Sequence, residues 1–182
     1  MKRQKIVVFV IATILGGISF SMPTFADNEA NPGENSSDKF ENIAMDCDSI
    51  KQTLKRIQNI DKNARVSMGR SYQSILTNFI TPLNVRIIKN NQKNVELTDI
   101  QSDFVSARET FNANYISYSQ DFEELLKLDC KAEPESFYAQ LVKTREKRAE
   151  VAAAAKKVRL VIDSHIEAVK NFKETLEVKN EE

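Results

Sequence analysis

The chain has 182 residues, 41% of them hydrophobic and 29% charged, with 26 Lys+Arg balanced by 26 Asp+Glu. That length suits one domain with a real core, and the neutral balance excludes a dedicated nucleic-acid binder, which carries a strongly basic domain. Four Gly, four Pro and no Trp fit a helical protein with few turns.

Residues 1–26 read as a secretory signal peptide. Lys2, Arg3 and Lys5 form a positive start, Ile6 to Leu15 an apolar stretch, and Pro23-Thr24-Phe25-Ala26 a small-residue cleavage site before Asp27. A spanning helix needs roughly 20 apolar residues, and this run is shorter. The alternative is an uncleaved anchor, the one case in which a membrane becomes a partner. No Cys stands near the Ala26–Asp27 junction to carry a lipid. Cleavage leaves 23 basic against 26 acidic residues, about −3 in net charge.

Residues 27–37 are polar, hold Pro32 and Gly33, and lack apolar periodicity, so they read as a disordered linker. The helical domain is expected over 38–179. Ser37 or Asp38 suits an N-cap, with Glu41 near the capping-box position. Phe40, Ile43, Cys47, Ile50, Leu54 and Ile57 then recur at alternating spacings of three and four, a heptad-like seam. The seam weakens at Asp61 and resumes through Ala64, Met68, Tyr72, Ile75 and Phe79. One long helix or two abutting ones are expected over 38–89, weakened at Gly69 by about 1 kcal/mol and kinked or broken at Pro82. Whether residues 58–66 form a hinge is left open.

Asn90 to Asn94 is a turn by composition. A second helix is expected over 97–130, with Leu97, Ile100, Phe104, Ala107, Phe111, Tyr115, Tyr118, Phe122 and Leu125 on one face. After a short connector, Pro134 opens a third helix, whose stripe runs Phe137, Leu141, Ala155, Val158, Ile162, Val169, Phe172 and Leu176. Short connections make the three run up, down and up. The expected fold is all-α: an elongated antiparallel three-helix bundle with coiled-coil-like packing.

That geometry tests the two cysteines. From the turn near Gln92, Cys47 lies 45 residues back and Cys130 lies 38 forward, arms that differ by about 10 Å at a helical rise of 1.5 Å. Both fall near one end of the helix pair, so in an oxidising compartment a disulfide is expected; two free thiols are the alternative. It would close a loop of about 80 residues, worth about 4 kcal/mol in the chain-entropy picture. Charge points to the same pairing: residues 49–93 carry +8 and residues 96–136 carry −7, and adjacent helices of opposite sign attract.

Ile80-Thr81-Pro82-Leu83-Asn84 and Leu128-Asp129-Cys130, in this helical setting behind a signal peptide, resemble uncharacterised exported helical proteins of ultrasmall, reduced-genome bacteria. The resemblance covers most of residues 40–176. It implies a bacterial envelope location and carries no assigned chemistry.

Few constellations suggest a site. Lys143, Arg145, Lys147, Arg148, Lys156, Lys157 and Arg159 form a candidate patch for an anionic partner such as an envelope polymer, although the charges are spread round the helix. His165, the only histidine, lies on the seam and is read as a packed boundary residue before a pH switch. Asp121, Glu123, Glu124 and Asp129 lack calcium-loop spacing and read as a solvated face. The aromatic row from Phe104 to Phe122 reads as core before ligand groove. No catalytic or metal-ligating set is expected, and no cofactor. The expectation is a non-enzymatic structural or protein-interaction module, secreted, periplasmic or on the cell surface; the alternative is an extracytoplasmic ligand-binding or chaperone-like protein.

Overall fold

The structure, a computed structural model, describes residues 36–178. The expected signal peptide with its Ala26–Asp27 junction, and almost all of the expected linker, lie outside the described residues. Every regular element among the described residues is helical: α1 (Ser36–Met45), α2 (Cys47–Ile75), a π-helical turn (Leu76–Ile80), α3 (Thr81–Lys89), α4 (Val95–Lys127) and α5 (Pro134–Val178). The chain is all-α.

The expected first helix is a relay of segments. Ser37 and Asp38, expected as caps, already lie within α1. Asp46 makes a turn between α1 and α2, yet the backbone ladder crosses it: the Asp46 N–H reaches the Asn42 carbonyl at 3.0 Å, and the Ile50 N–H reaches that of Asp46 at 3.0 Å. Residues 58–66 are uninterrupted helix inside α2.

Pro82 does not stop the helix. A proline ring collides with the carbonyl four residues back, here Asn78, and cannot donate to it. The π-helical turn just before it widens the backbone, with the Thr81 N–H donating to the Leu76 carbonyl five residues back. One extra residue in that turn moves the buried stripe by one position. Phe79, expected on the seam, is therefore 49% exposed, while Ile80 is fully buried. From there the buried stripe continues through Asn84 and Ile87.

The turn at 90–94 is set by two asparagines. Asn91 takes a left-handed φ of 55°; its N–H reaches the Ile88 carbonyl at 3.0 Å, and the Gln92 N–H reaches that of Ile87 at 3.1 Å. This pair of bonds closes a helix C-terminus in the Schellman manner. The Asn94 side chain then accepts from the Leu97 N–H at 3.0 Å and caps α4. At the far end, Asp129 accepts from the Lys131 and Ala132 N–H groups, and Pro134 begins α5, where its missing donor costs nothing.

The most extensive interface is between α4 and α5; α2 rests on α4, and α1 on α5. Three apolar clusters follow one another along the helices. The first gathers Cys47, Leu54, Phe122, Leu125, Cys130 and Phe137. The second gathers Tyr72, Ile80, Phe104, Phe111, Ala154 and Val158, and the third Ile87, Leu97 and Ala168. Phe104, Phe111, Tyr118 and Phe122 are each at most 3% exposed, and Tyr72 sits edge-on to Phe104 and Phe111. The aromatic row is core. No described helix is long and apolar enough to cross a membrane.

Candidate functional site

Asp61 occupies the seam position between Ile57 and Ala64, where a heptad pattern calls for an apolar side chain. Its carboxylate accepts from three donors on two other helices. The Arg148 Nε and Nη2 of α5 reach Oδ2 at 2.8 Å and Oδ1 at 2.9 Å, and the Tyr118 hydroxyl of α4 donates to Oδ2 at 2.6 Å. The Arg148 and Asp61 side chains are 21% and 17% exposed. Such a planar fork against a carboxylate is the strongest form of ion pair. Tyr118, at 3% exposure, closes the first apolar cluster beside it. Arg65, one turn on from Asp61, lies 5.5 Å from the Tyr115 ring centre and approaches Asn112 Oδ1 at 3.5 Å.

This arrangement holds protons rather than moving them. Burial first, then the hydrogen bond to Asp61, pushes the Tyr118 hydroxyl far above the usual tyrosine range. The hydrogen bond to Asp61 likewise keeps Arg148 firmly charged. Neither group offers a base or nucleophile near neutral pH.

The disulfide is present: Cys47 joins Cys130 across 83 residues, with Cα atoms 5.5 Å apart. Both residues are almost fully buried. Next to it, Lys131 Nζ lies 2.6 Å from Asp48, and the two backbone N–H groups on Asp129 hold its carboxyl below the usual range, with a smaller pull from Lys51.

The candidate basic patch on α5 is largely tied to acids. Lys143 pairs with Asp121 at 2.7 Å, Lys147 with Glu150 at 2.9 Å and Arg159 with Asp163 at 3.1 Å. Arg148 turns inward to Asp61, so it leaves the patch altogether. Arg145, Lys156 and Lys157 are exposed. The seven residues thus divide into three on the α5 surface that face acids, one turned inward, and three that are exposed.

Asp121 also departs from expectation. It is buried rather than solvated, 7% exposed, and its backbone carbonyl accepts from Gln140 at 2.9 Å and Thr144 at 3.4 Å. His165 is half-buried, its Nε2 has no hydrogen-bond partner, and desolvation lowers its pKa. The opposite charges of residues 49–93 and 96–136 make no direct ion pair among the described residues. Where these segments touch, Arg108 bonds the neutral Gln73, and Arg65 approaches the neutral Asn112.

No family model, curated protein or solved structure matches this chain. Nor does any group of three or more His, Cys, Asp or Glu among the described residues have the geometry to hold a metal ion.

One open groove was not legible beforehand. It lies between α3 and α4, has a volume of ≈ 540 Å³, and is lined in part by Asn84, Ile88, Val95 and Thr98. Asn84 is 8% exposed; its Nδ2 donates to the Leu97 carbonyl at 3.1 Å and to Gln101 Oε1 at 2.7 Å, while its Oδ1 is buried without a partner. Asn84 follows directly on the Pro82-Leu83 pair, but its inward placement comes from the π-helical turn, which the apolar period of the sequence does not reveal.

Proposed function

We propose that the chain is an exported, non-enzymatic helical module of the cell envelope that acts by presenting a long helical surface to a protein partner. The observation that carries this reading is the buried Cys47–Cys130 disulfide, since a covalent link of this kind persists in oxidising, extracytoplasmic compartments. The N-terminal pattern up to Ala26, and the resemblance to exported helical proteins of reduced-genome bacteria, support the same address.

The architecture fitting this role is an elongated antiparallel three-helix bundle. In it, α2 with α3 forms one arm, and α4 and α5 the others. Contacts between Asp121 and Gln140, and between Asn114 and Glu150, support opposite directions for α4 and α5. The ion pair from Asp61 to Arg148 supports α2 running beside α5.

The test is crosslinking on intact source cells, followed by mass spectrometry without reduction. The expected product begins at Asp27, has both thiols oxidised, and lies outside the cytoplasmic membrane joined to a protein neighbour. A cytosolic product retaining Met1 with two free thiols would overturn the proposal.

A second reading, an extracytoplasmic ligand binder, draws on the groove at Asn84 and its buried unpartnered Oδ1. Under that reading, melting temperature rises in the presence of small-molecule envelope extracts, and Asn84→Leu abolishes the rise.

A further inference from the structure

We propose that the outward face of α2 is a binding strip for a linear polyanion, gripped by Lys55, Arg56, Lys62 and Arg70. All four side chains are exposed. At 3.6 residues per turn they fall on the side opposite Leu54, Ile57, Ala64, Met68 and Tyr72, the residues that α2 turns to the core. Lys55 and Lys62 stand two turns apart, about 10.5 Å, while Arg56 and Arg70 stand four turns apart, about 21 Å. Exposed Asn59 and Asn63 lie between them.

The missing counter-charge sets this face apart. Between residues 49 and 93 the only acidic side chain is Asp61, and it is spent inward on Arg148 and Tyr118. None of the four cations has an ion pair among the described residues. The same chain treats α5 differently. There Lys147–Glu150, Arg159–Asp163, Lys170–Glu167 and Lys173–Glu177 stitch the surface with pairs three or four residues apart. A helix evolved only to be solvated has that mixed-sign option available. On α2 the self-repulsion is kept, and an external anion relieves it.

The chemistry of the face selects the occupant. Protein interfaces centre on aromatic or aliphatic anchors, and helices lying in a membrane surface bring Trp, Phe or Leu. Ile60 is the only large apolar side chain exposed on α2. Nucleobases stack on exposed aromatics, and none stands between Lys55 and Arg70. A row of cations with neutral hydrogen-bonding neighbours instead matches a polymer bearing phosphates or carboxylates at regular intervals, recognised through charge and spacing.

The proposal rests on the extracytoplasmic interaction reading. Its test uses purified, disulfide-bonded full-length chain, so a negative result leaves the cell-crosslinking outcome standing, and the reverse also holds. Fluorescence anisotropy would follow binding to labelled inorganic polyphosphate and to poly-glutamate over a salt series, with phosphatidylglycerol vesicles in parallel. Lys55→Gln, Arg56→Gln, Lys62→Gln and Arg70→Gln combined are compared with an equal charge change on α5, Lys156→Gln, Lys157→Gln, Lys170→Gln and Lys173→Gln. Circular dichroism and non-reducing mass spectrometry verify that both variants fold.

The expected result is loss of about tenfold or more in polymer affinity for the α2 variant, with the log–log salt slope reduced by about 3, while the α5 variant stays within about twofold. The ratio of polyphosphate to poly-glutamate affinity then names the anion. Equal losses in both variants, no binding of either polymer, or tighter α2-dependent binding to vesicles would overturn it.

Discussion

Asp61 and Arg148, separated by 87 residues, meet in a two-pronged ion pair at the boundary between two apolar clusters. A polar layer inside an otherwise apolar seam restricts the alignments in which helices can pack, because any slip leaves a charge without its partner. Here it joins α2 to α5 directly and, through Tyr118, to α4.

Removing one partner of this layer should hurt more than removing all of it. Asp61→Ala removes the carboxylate that Arg148 and the Tyr118 hydroxyl share in a mostly buried site and should cost about 3 kcal/mol. The combination of Asp61→Leu, Arg148→Leu and Tyr118→Phe should recover most of that loss. Urea denaturation of the three proteins checks the order. A triple variant less stable than Asp61→Ala would show that the layer contributes net stability rather than alignment.

The disulfide constrains the unfolded chain. Cys47→Ala with Cys130→Ala should lower stability by about 4 kcal/mol, less if the unfolded chain keeps structure. The comparison is thermal melting of wild type with and without reductant against the double variant, whose melt should ignore reductant. Because both sulfurs are buried, mild reductant should act on the native fold only slowly.

Acidification should weaken the fold partly through His165. Desolvation lowers its folded pKa, so below the unfolded value of about 6.5 the unfolded chain binds the proton first, and stability falls with pH. From about pH 7 to about pH 5, wild type should lose more stability than His165→Leu. Parallel urea midpoints would test this, and identical slopes would exclude His165 as a contributor.

Gly69 lies within α2, and nothing comes within 4 Å of a Cβ added there. Gly69→Ala should therefore stabilise the protein by up to about 1 kcal/mol through helix propensity and a less flexible unfolded chain. The readout is the urea midpoint at unchanged m-value.

The helices and the cysteine pairing could be read from the sequence because both follow from a repeating spacing. Alternating steps of three and four placed Cys47 on the seam, and the arm lengths on either side of Gln92 brought Cys130 to the same end. Two features resisted that logic. The one-residue shift from Phe79 to Ile80 arises from the π-helical turn ahead of Pro82, and a period carried through the proline cannot register it.

The polar layer was hidden for a different reason. Asp61 and Arg148 both occupy seam positions, as does Thr144, which is 3% exposed. A stripe traced through apolar residues alone steps over all three. An acid and a base at interior positions of two different helices would have been the clue. Asp121 misled in the same way: its neighbours Glu123 and Glu124 are exposed, but it lies beside Phe122 on the inward side.

The Cys47–Cys130 link encloses the whole of α2, α3 and α4 within one covalent ring. A protease that cuts the exposed Asn90–Asn91 turn therefore opens the ring without releasing a piece: the two parts keep one mass until the disulfide is reduced. Cuts after Cys130, by contrast, shed α5 fragments freely. Proteolytic damage to this protein would thus be silent at one end of the fold and visible at the other.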